Sequence, residues 1–169
     1  MIYKSSYESP LGPIYLASDD TSLIGLWLEG QTNFESIISE DIIEQDNLKI
    51  FCDTKTWLDE YFSGYQPSIS NLNLAPRGSE FRQQVWKILR EIPYGQTTTY
   101  GKISKQIAKI RGVEKMSAQA IGGAVGHNPI SIIIPCHRVI GANGNLTGYA
   151  GGLDKKIWLL EHGAVKKRP

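Results

Sequence analysis

The residues that could do covalent chemistry sit close together. Pro135-Cys136-His137-Arg138 sets a thiol, an imidazole and a guanidinium in consecutive positions, directly after Ile132-Ile133-Ile134. The thiolate is the reactive form of cysteine, and nearby cationic groups favour it over the thiol. The competing reading is an inert structural cysteine packed against three isoleucines, since free Cys is among the most buried residue types. Three features favour reactivity. Pro135 cannot donate to a sheet ladder, so it marks an edge or a special turn. His137 and Arg138 bring polar, partly cationic groups to the end of an apolar run. Asn143-Gly144, Thr147-Gly148 and Gly151-Gly152 then form a loop able to wall a pocket. If 130–134 is a buried strand, adjacent side chains beyond it point to opposite faces. His137 would then reach the Cys136 sulfur only if the backbone turns or a water relays the proton. A Cys hydrolase stays open at this point, although such enzymes usually bring their His from far along the chain.

The other cysteine, Cys52, precedes a helix start in an acidic region. Two cysteines cannot build a disulfide framework, and no cluster has metal-ligand spacing, so no metal is expected. Both read as free thiols in a reducing compartment, hence a cytoplasmic protein. The N-terminal residues mix Tyr, Ser, Lys and Glu, unlike a signal peptide, and no apolar run is long enough to span a bilayer. The net charge of +1 hides an asymmetry. Residues 1–76 carry 3 Lys and Arg against 12 Asp and Glu, whereas 77–169 carry 15 against 5. A basic half on a neutral whole points to a surface that meets a polyanion.

These groups need elements to position them. Residues 2–7, 12–18 and 23–28 read as strands, separated by Ser9-Pro10-Leu11-Gly12 and Asp19-Asp20 turn chemistry. A helix is expected from Asn33 to Glu44, and another capped by Asp53 with Trp57, Leu58, Tyr61 and Phe62 inward. Residues 64–78, rich in Pro, Ser and Asn, read as a linker. Ser79 can cap a helix whose stripe is Phe81, Val85, Trp86, Leu89 and Ile92, stopped by Pro93-Tyr94-Gly95. Thr98 or Thr99 can cap a helix with Ile103, Ile107 and Ile110 inward. After a turn at Arg111-Gly112-Val113, Ser117 starts a short helix reaching about Val125. Two short helices joined by a glycine-containing turn are a helix-turn-helix pattern. Asp154 is expected to cap a last helix bearing Ile157, Trp158 and Leu160.

The second short helix, Ala118-Gln119-Ala120-Ile121-Gly122-Gly123-Ala124-Val125, is poor by propensity, each interior Gly costing about 1 kcal/mol relative to Ala. Its gain is a thin surface. That suits tight helix–helix packing, or a helix that enters a DNA groove without long base-reading side chains.

The sequence resembles the O6-alkylguanine-DNA alkyltransferases, also called methylated-DNA–protein-cysteine methyltransferases. The matching stretches are 81–86, Ile92-Pro93-Tyr94-Gly95, Thr99-Tyr100-Gly101, 120–124, Asn128-Pro129, 134–140 and 148–153, within roughly 79–162. Pro-Cys-His-Arg-Val followed by Gly-Tyr-Ala-Gly-Gly is the most specific part. The resemblance implies an α/β, ribonuclease-H-like N-terminal module (1–76) and a mainly α C-terminal domain (77–169) with a winged helix-turn-helix. It implies a single-turnover DNA repair reaction with no cofactor, in which a nucleotide is flipped through the minor groove of double-stranded DNA and its alkyl group passes to Cys136. His137 would deprotonate Cys136 through a water. Asn128 would brace the turn before the active-site segment. Tyr100 would help rotate the nucleotide and hydrogen-bond the base. Val125 and Tyr149 would wall the pocket. The Cys136 and Val139 carbonyls would accept from the guanine amino group, and the Ala150 amide would donate to O6. Arg138 would tie the active-site loop to the domain. Ser117, Ala118, Gln119, Ala120 and Gly122 would face DNA, and the protein would work as a monomer.

Two positions depart from the family pattern. Gln119 stands where many members carry an Arg, and Gly163 where many carry a Glu that orients the histidine. Glu161 is two residues away, on another face of a helix. The zinc ligands that some relatives carry near the N-terminus are missing from this sequence. The alternative is an alkyltransferase-like lesion-binding protein without transfer, against which Cys136 argues, since those lack the acceptor. A helix-turn-helix regulator is disfavoured by the thin second helix and the Cys-His pair.

Overall fold

The computed structural model describes residues 1–31 and 42–164. β1 (Ile2–Ser9), β2 (Gly12–Ser18) and β3 (Leu23–Leu28) form an antiparallel meander. Local chemistry sets both turns. Ser9 Oγ accepts from Leu11 N at 3.0 Å and donates to the Gly12 carbonyl at 2.7 Å. Asp19 Oδ1 accepts from the Thr21 and Ser22 amides at 2.8 and 2.7 Å, an Asx-type turn.

β4 (Ile42–Glu44) pairs parallel to β1, giving the sheet order β3-β2-β1-β4. The helix expected from Asn33 to Glu44 lies mostly outside the described residues, and its last three residues are this strand instead. Two consecutive β-branched side chains, Ile42 and Ile43, suit an extended edge better than a helix end.

α1 (Lys49–Phe62) packs on β1 and β2. It starts four residues before Asp53, which is inside the helix and pairs with Lys49 at 2.6 Å rather than capping. The buried stripe begins at Ile50 and Phe51, so burial decides the start and not the cap. Residues 64–78 are not a free linker. Leu23 N donates to the Asn73 carbonyl and Ala75 N to the Leu23 carbonyl, both at 2.8 Å, which docks this stretch on the outer edge of β3.

The C-terminal half carries α2 (Glu80–Arg90), α3 (Tyr100–Arg111), α4 (Ala118–Gly126) and α5 (Leu153–Ala164). Ser79, Thr99 and Ser117 cap the first three through their hydroxyls. Gly112 ends α3 at φ 68°, a left-handed conformation that glycine adopts without penalty. β5 (Thr98–Thr99) and β6 (Val139–Ile140) pair in parallel. Three expectations fail here, two about faces and one about a cap. Ile110, in the last turn of α3, is 58% exposed, and the buried residues of that helix are Ile103, Ile107 and Ala108. Asp154 sits in the first turn of α5 and not at its cap. The buried residues of α5 are Lys156 and Leu159, whereas Ile157 is exposed.

One core runs through both halves, from Ile14, Leu16 and Leu26 through Phe51 and Leu58 to Val85, Leu89, Ile134, Cys136 and Leu159. No helix among the described residues is long and apolar enough to cross a membrane.

Candidate active site

The segment before the cysteine is not a strand. Ile130 makes one bridge to Leu26, with Leu26 N donating to Pro129 O and Ser131 N to Leu26 O. The chain then turns, with Ile133 N bonded to Ser131 O and Ile134 N to Ile130 O. Asn128, buried just after α4, holds this turn. Its Nδ2 donates to the Ile134 carbonyl at 2.8 Å and to the Ile130 carbonyl at 3.3 Å, while its Oδ1 accepts from Ile130 N at 3.0 Å. Ile132 sits at φ 70°, a genuine outlier for a β-branched residue. Such strain persists only where surroundings over-determine it, and it clusters at functional sites.

Cys136, His137 and Arg138 form one 3-10 turn, so the strand-like alternation expected for the first two does not apply. Cys136 is 6% exposed, at the wall of a cavity of about 660 Å³. Tyr100, Val125, Asn128, Tyr149 and Ala150 share that cavity, as do Ala118, Gln119 and Gly122 of α4. Burial pushes the Cys136 thiol up, and Asn128, the Lys156 ammonium and Tyr149 oppose it. The Tyr149 hydroxyl is itself held well above its ordinary value, by burial and then by the charge on Cys136. Tyr100, the first residue of α3, accepts a 2.9 Å hydrogen bond from the Thr147 hydroxyl, which leaves its own proton free to donate.

His137 and Arg138 face elsewhere. His137 is 1% exposed, and its Nδ1 has no hydrogen-bond partner among the described residues. Burial first, and then Arg138, Lys156 and His162, hold it well below the usual imidazole value. It is therefore neutral near pH 7, the state a base requires. Arg138 donates from Nη1 to the Ile92 carbonyl at 2.9 Å and stacks over the Tyr94 ring, so it joins the cysteine turn to the end of α2. Val139 is fully buried and does not line the cavity. Its carbonyl accepts from Lys156 Nζ at 2.7 Å.

Lys156 is the residue that sequence reasoning missed. It is 1% exposed, links Val139 O to Thr147 O (3.5 Å), and brings a cation near the thiol. A lysine three residues before Leu159, on the buried stripe of α5, was the available signal. Ser131 was also missed. It lines the cavity and donates to Gln31 Oε1 at 3.1 Å, and that oxygen also accepts from Leu28 N. The acidic half thus supports the cavity floor.

On α4, the buried face is Ile121, Ala124 and Val125, and Trp86 Nε1 donates to the Ala124 carbonyl at 2.8 Å. A Cβ built at Gly122 or Gly123 would meet nothing within 4 Å, so these glycines do not serve tight packing within the chain. Ala118, Gln119 and Ala120 are exposed, and Ser117 Oγ is engaged in the cap. No three His, Cys, Asp or Glu side chains among the described residues come together as a metal site.

The whole chain has counterparts. Residues 2–76 match the family described as 6-O-methylguanine DNA methyltransferase, ribonuclease-like domain, and 80–165 its DNA binding domain. A methylated-DNA–protein-cysteine methyltransferase of Methanosarcina acetivorans is 44% identical, with 95% of this chain and 97% of the relative aligned. One from Haemophilus influenzae is 39% identical over 95% of this chain and 85% of the relative. A Mycobacterium tuberculosis OGT solved in complex with DNA superposes with a TM-score of 0.84 at 40% identity, covering 96% of this chain and 92% of the other.

Proposed function

Because this chain belongs to the 6-O-methylguanine DNA methyltransferase family and repairs DNA by alkyl transfer, we propose that Cys136 accepts the alkyl group, once per molecule, from an O6-alkylguanine flipped through the minor groove into the cavity of α4 and the 147–150 loop. The observation that carries this reading is a buried thiol at the wall of that cavity, opposed in its desolvation by Asn128, Lys156 and Tyr149.

The chemistry balances as a displacement at carbon. His137, neutral and buried, takes the thiol proton through a water. The sulfur attacks the alkyl carbon, the C–O6 bond breaks, and its electron pair stays on guanine O6. Donors placed where that charge develops lower the barrier: the Tyr100 hydroxyl and the Ala150 amide. The guanine amino group meets the Cys136 carbonyl, which has a second lone pair beyond its present bond, whereas the Val139 carbonyl lies off the cavity and is held by Lys156. Water does not cleave the thioether product, so the protein is spent. Flipping costs a few kcal/mol, and Gln119 at the rim of the cavity fills part of the space the base leaves.

In this reading α3 and α4 form the helix-turn-helix of a winged domain over 77–169. The thin face of α4, from Ser117 to Gly122, lies in the groove, and exposed basic residues of this half, such as Lys102, Lys105 and Lys109, meet phosphates. The sheet with α1, over 1–76, is a ribonuclease-H-like module. The protein acts as a cytoplasmic monomer on duplex DNA.

The test is mass spectrometry after incubation with a duplex carrying one O6-methylguanine. The expected result is one methyl group per protein, on the peptide holding Cys136, and none in Cys136→Ser, which still binds the duplex. Methylation at Cys52, repeated turnover, or duplex binding with no adduct would each overturn the reading.

A further inference from the structure

His137 borders a second cavity, of about 210 Å³, separate from the one that holds the thiol. Gly95, Arg138, Leu159 and Gly163 also line it. Two observations show what it suits. His137 Nδ1 is buried, with no acceptor among the described residues. The charged groups that act on His137 are Arg138, Lys156 and His162, and none of them is a carboxylate. A buried imidazole N–H without an acceptor is costly, and the Arg138 cation at the wall of the cavity favours an anion there. Gly163 keeps the space open. A Cβ there would meet Gly95 Cα at 3.6 Å and Gly95 N at 3.7 Å, ordinary contacts, so a longer side chain could enter the cavity.

We propose that this cavity binds a small carboxylate, of the size of formate or acetate, which accepts a hydrogen bond from His137 Nδ1–H and makes His137 a stronger base toward Cys136. The anion supplies from solution the acceptor that the chain does not place at position 163. It undergoes no bond change. It holds the imidazole in the tautomer whose other nitrogen faces the cysteine side, and it stabilises the imidazolium formed when the thiol proton arrives. The proposal rests on the reading of His137 as the base.

The experiment titrates formate into the full-length protein against chloride at constant ionic strength and pH, without DNA, following the imidazole ¹⁵N signals of the three histidines. His127, outside that group of charges, is the internal control. The expected result is a saturable shift at His137 and a higher apparent pKa there. Transfer from methylated duplex, or alkylation of Cys136 by a small electrophile, rises several-fold with the same half-saturation. In Gly163→Glu the His137 signal starts near the formate-bound position and does not respond. In Gly163→Gln it neither starts there nor responds, which separates charge from filled space. A His137 shift that fails to saturate, that chloride reproduces, or that survives unchanged in Gly163→Glu overturns the proposal. Failure of the transfer reading shows separately, as absence of methyl on Cys136, because the histidine titration is read without DNA.

Discussion

Asn128→Ala is the substitution whose effect follows most directly from geometry. Asn128 closes the 128–134 turn with three buried hydrogen bonds, two of good length (2.8 and 3.0 Å) and one longer (3.3 Å). Truncation leaves the Ile130 amide and the Ile130 and Ile134 carbonyls without these partners. The Ile130 amide is then stranded, at about 1–3 kcal/mol, whereas the Ile130 and Ile134 carbonyls keep the Ile134 and Cys136 amides and each lose a net bond of about 0.5–1.5 kcal/mol. The adjoining cavity lets water reach part of them, and release of Ile132 from its left-handed conformation returns some strain, on the order of 1–3 kcal/mol. The net loss is therefore about 2–4 kcal/mol, a large share of a typical 5–15 kcal/mol. At about 2–4 °C per kcal/mol for a chain of this size, the melting temperature falls by roughly 5–15 °C. Cys136 also loses a neighbour that favours its thiolate, so alkylation by iodoacetamide slows in a Cys52→Ser background. Asn128→Asp keeps the acceptor but sets a carboxylate oxygen against the Ile134 carbonyl. It should be at least as unstable at neutral pH and recover partly as pH falls toward about 4, the recovery starting above the unperturbed Asp value because the buried site disfavours the charge, and the protonated carboxyl then serves as a donor. Urea melts within about 0.5 kcal/mol of the parent for Asn128→Ala, with unchanged Cys136 alkylation, would refute the bracket.

Lys156→Met removes the buried cation beside the thiol, so the midpoint of the pH–rate profile for Cys136 alkylation moves upward; an unmoved midpoint means the ammonium only fastens Val139 and Thr147. Because the folded protein holds His137 well below 6.5, the unfolded chain binds a proton there that the folded one does not. Stability is then lost as pH falls below about 6.5, by up to ~1.4 kcal/mol per unit from this group. Urea melts at neutral and mildly acid pH should show a shallower loss in His137→Gln, and parallel slopes would sink the assignment. Gln119→Ala should slow repair of duplex by about fivefold, the worth of roughly 1 kcal/mol, while sparing the free base O6-benzylguanine. Equal slowing on both would place Gln119 in the pocket's shape instead. Gln119→Arg should tighten DNA binding with a steeper salt dependence.

What the sequence made legible was local. Ser9, Asp19, Ser79, Ser117 and the Thr98-Thr99 pair announce turns and caps because their side chains bond to backbone groups within three residues. The Pro-Cys-His-Arg motif and the thin face of α4 were equally plain, and the resemblance to the alkyltransferases implied Tyr100, Asn128 and Tyr149 beside them. What escaped was decided at a distance. Three consecutive isoleucines read as a strand, yet Asn128 and the edge of β3 fold them into turns. Asp53 looked like a cap, yet the packing of Ile50 and Phe51 starts α1 earlier. Lys156 looked like one more basic residue of a basic half. Only the carbonyls of Val139 and Thr147, on another segment, explain its burial.

The outer edge of β3 holds residues 73–75 at its start, beside Leu23, and 129–131 further along, beside Leu26. Lys155 adds a 2.6 Å bond to the Glu29 carbonyl. The backbone between the halves is therefore not what keeps them together. A protease cut near residue 66, within the exposed stretch after α1, would nick the chain without releasing either piece. Two fragments made separately should find each other through that shared ladder and core, and rebuild the nucleophile only when both are present. The fold contains the makings of a split reporter, with Cys136 labelling as its signal. Fragments that label no better together than apart would show that the connecting segment, and not the strand edge, holds the site.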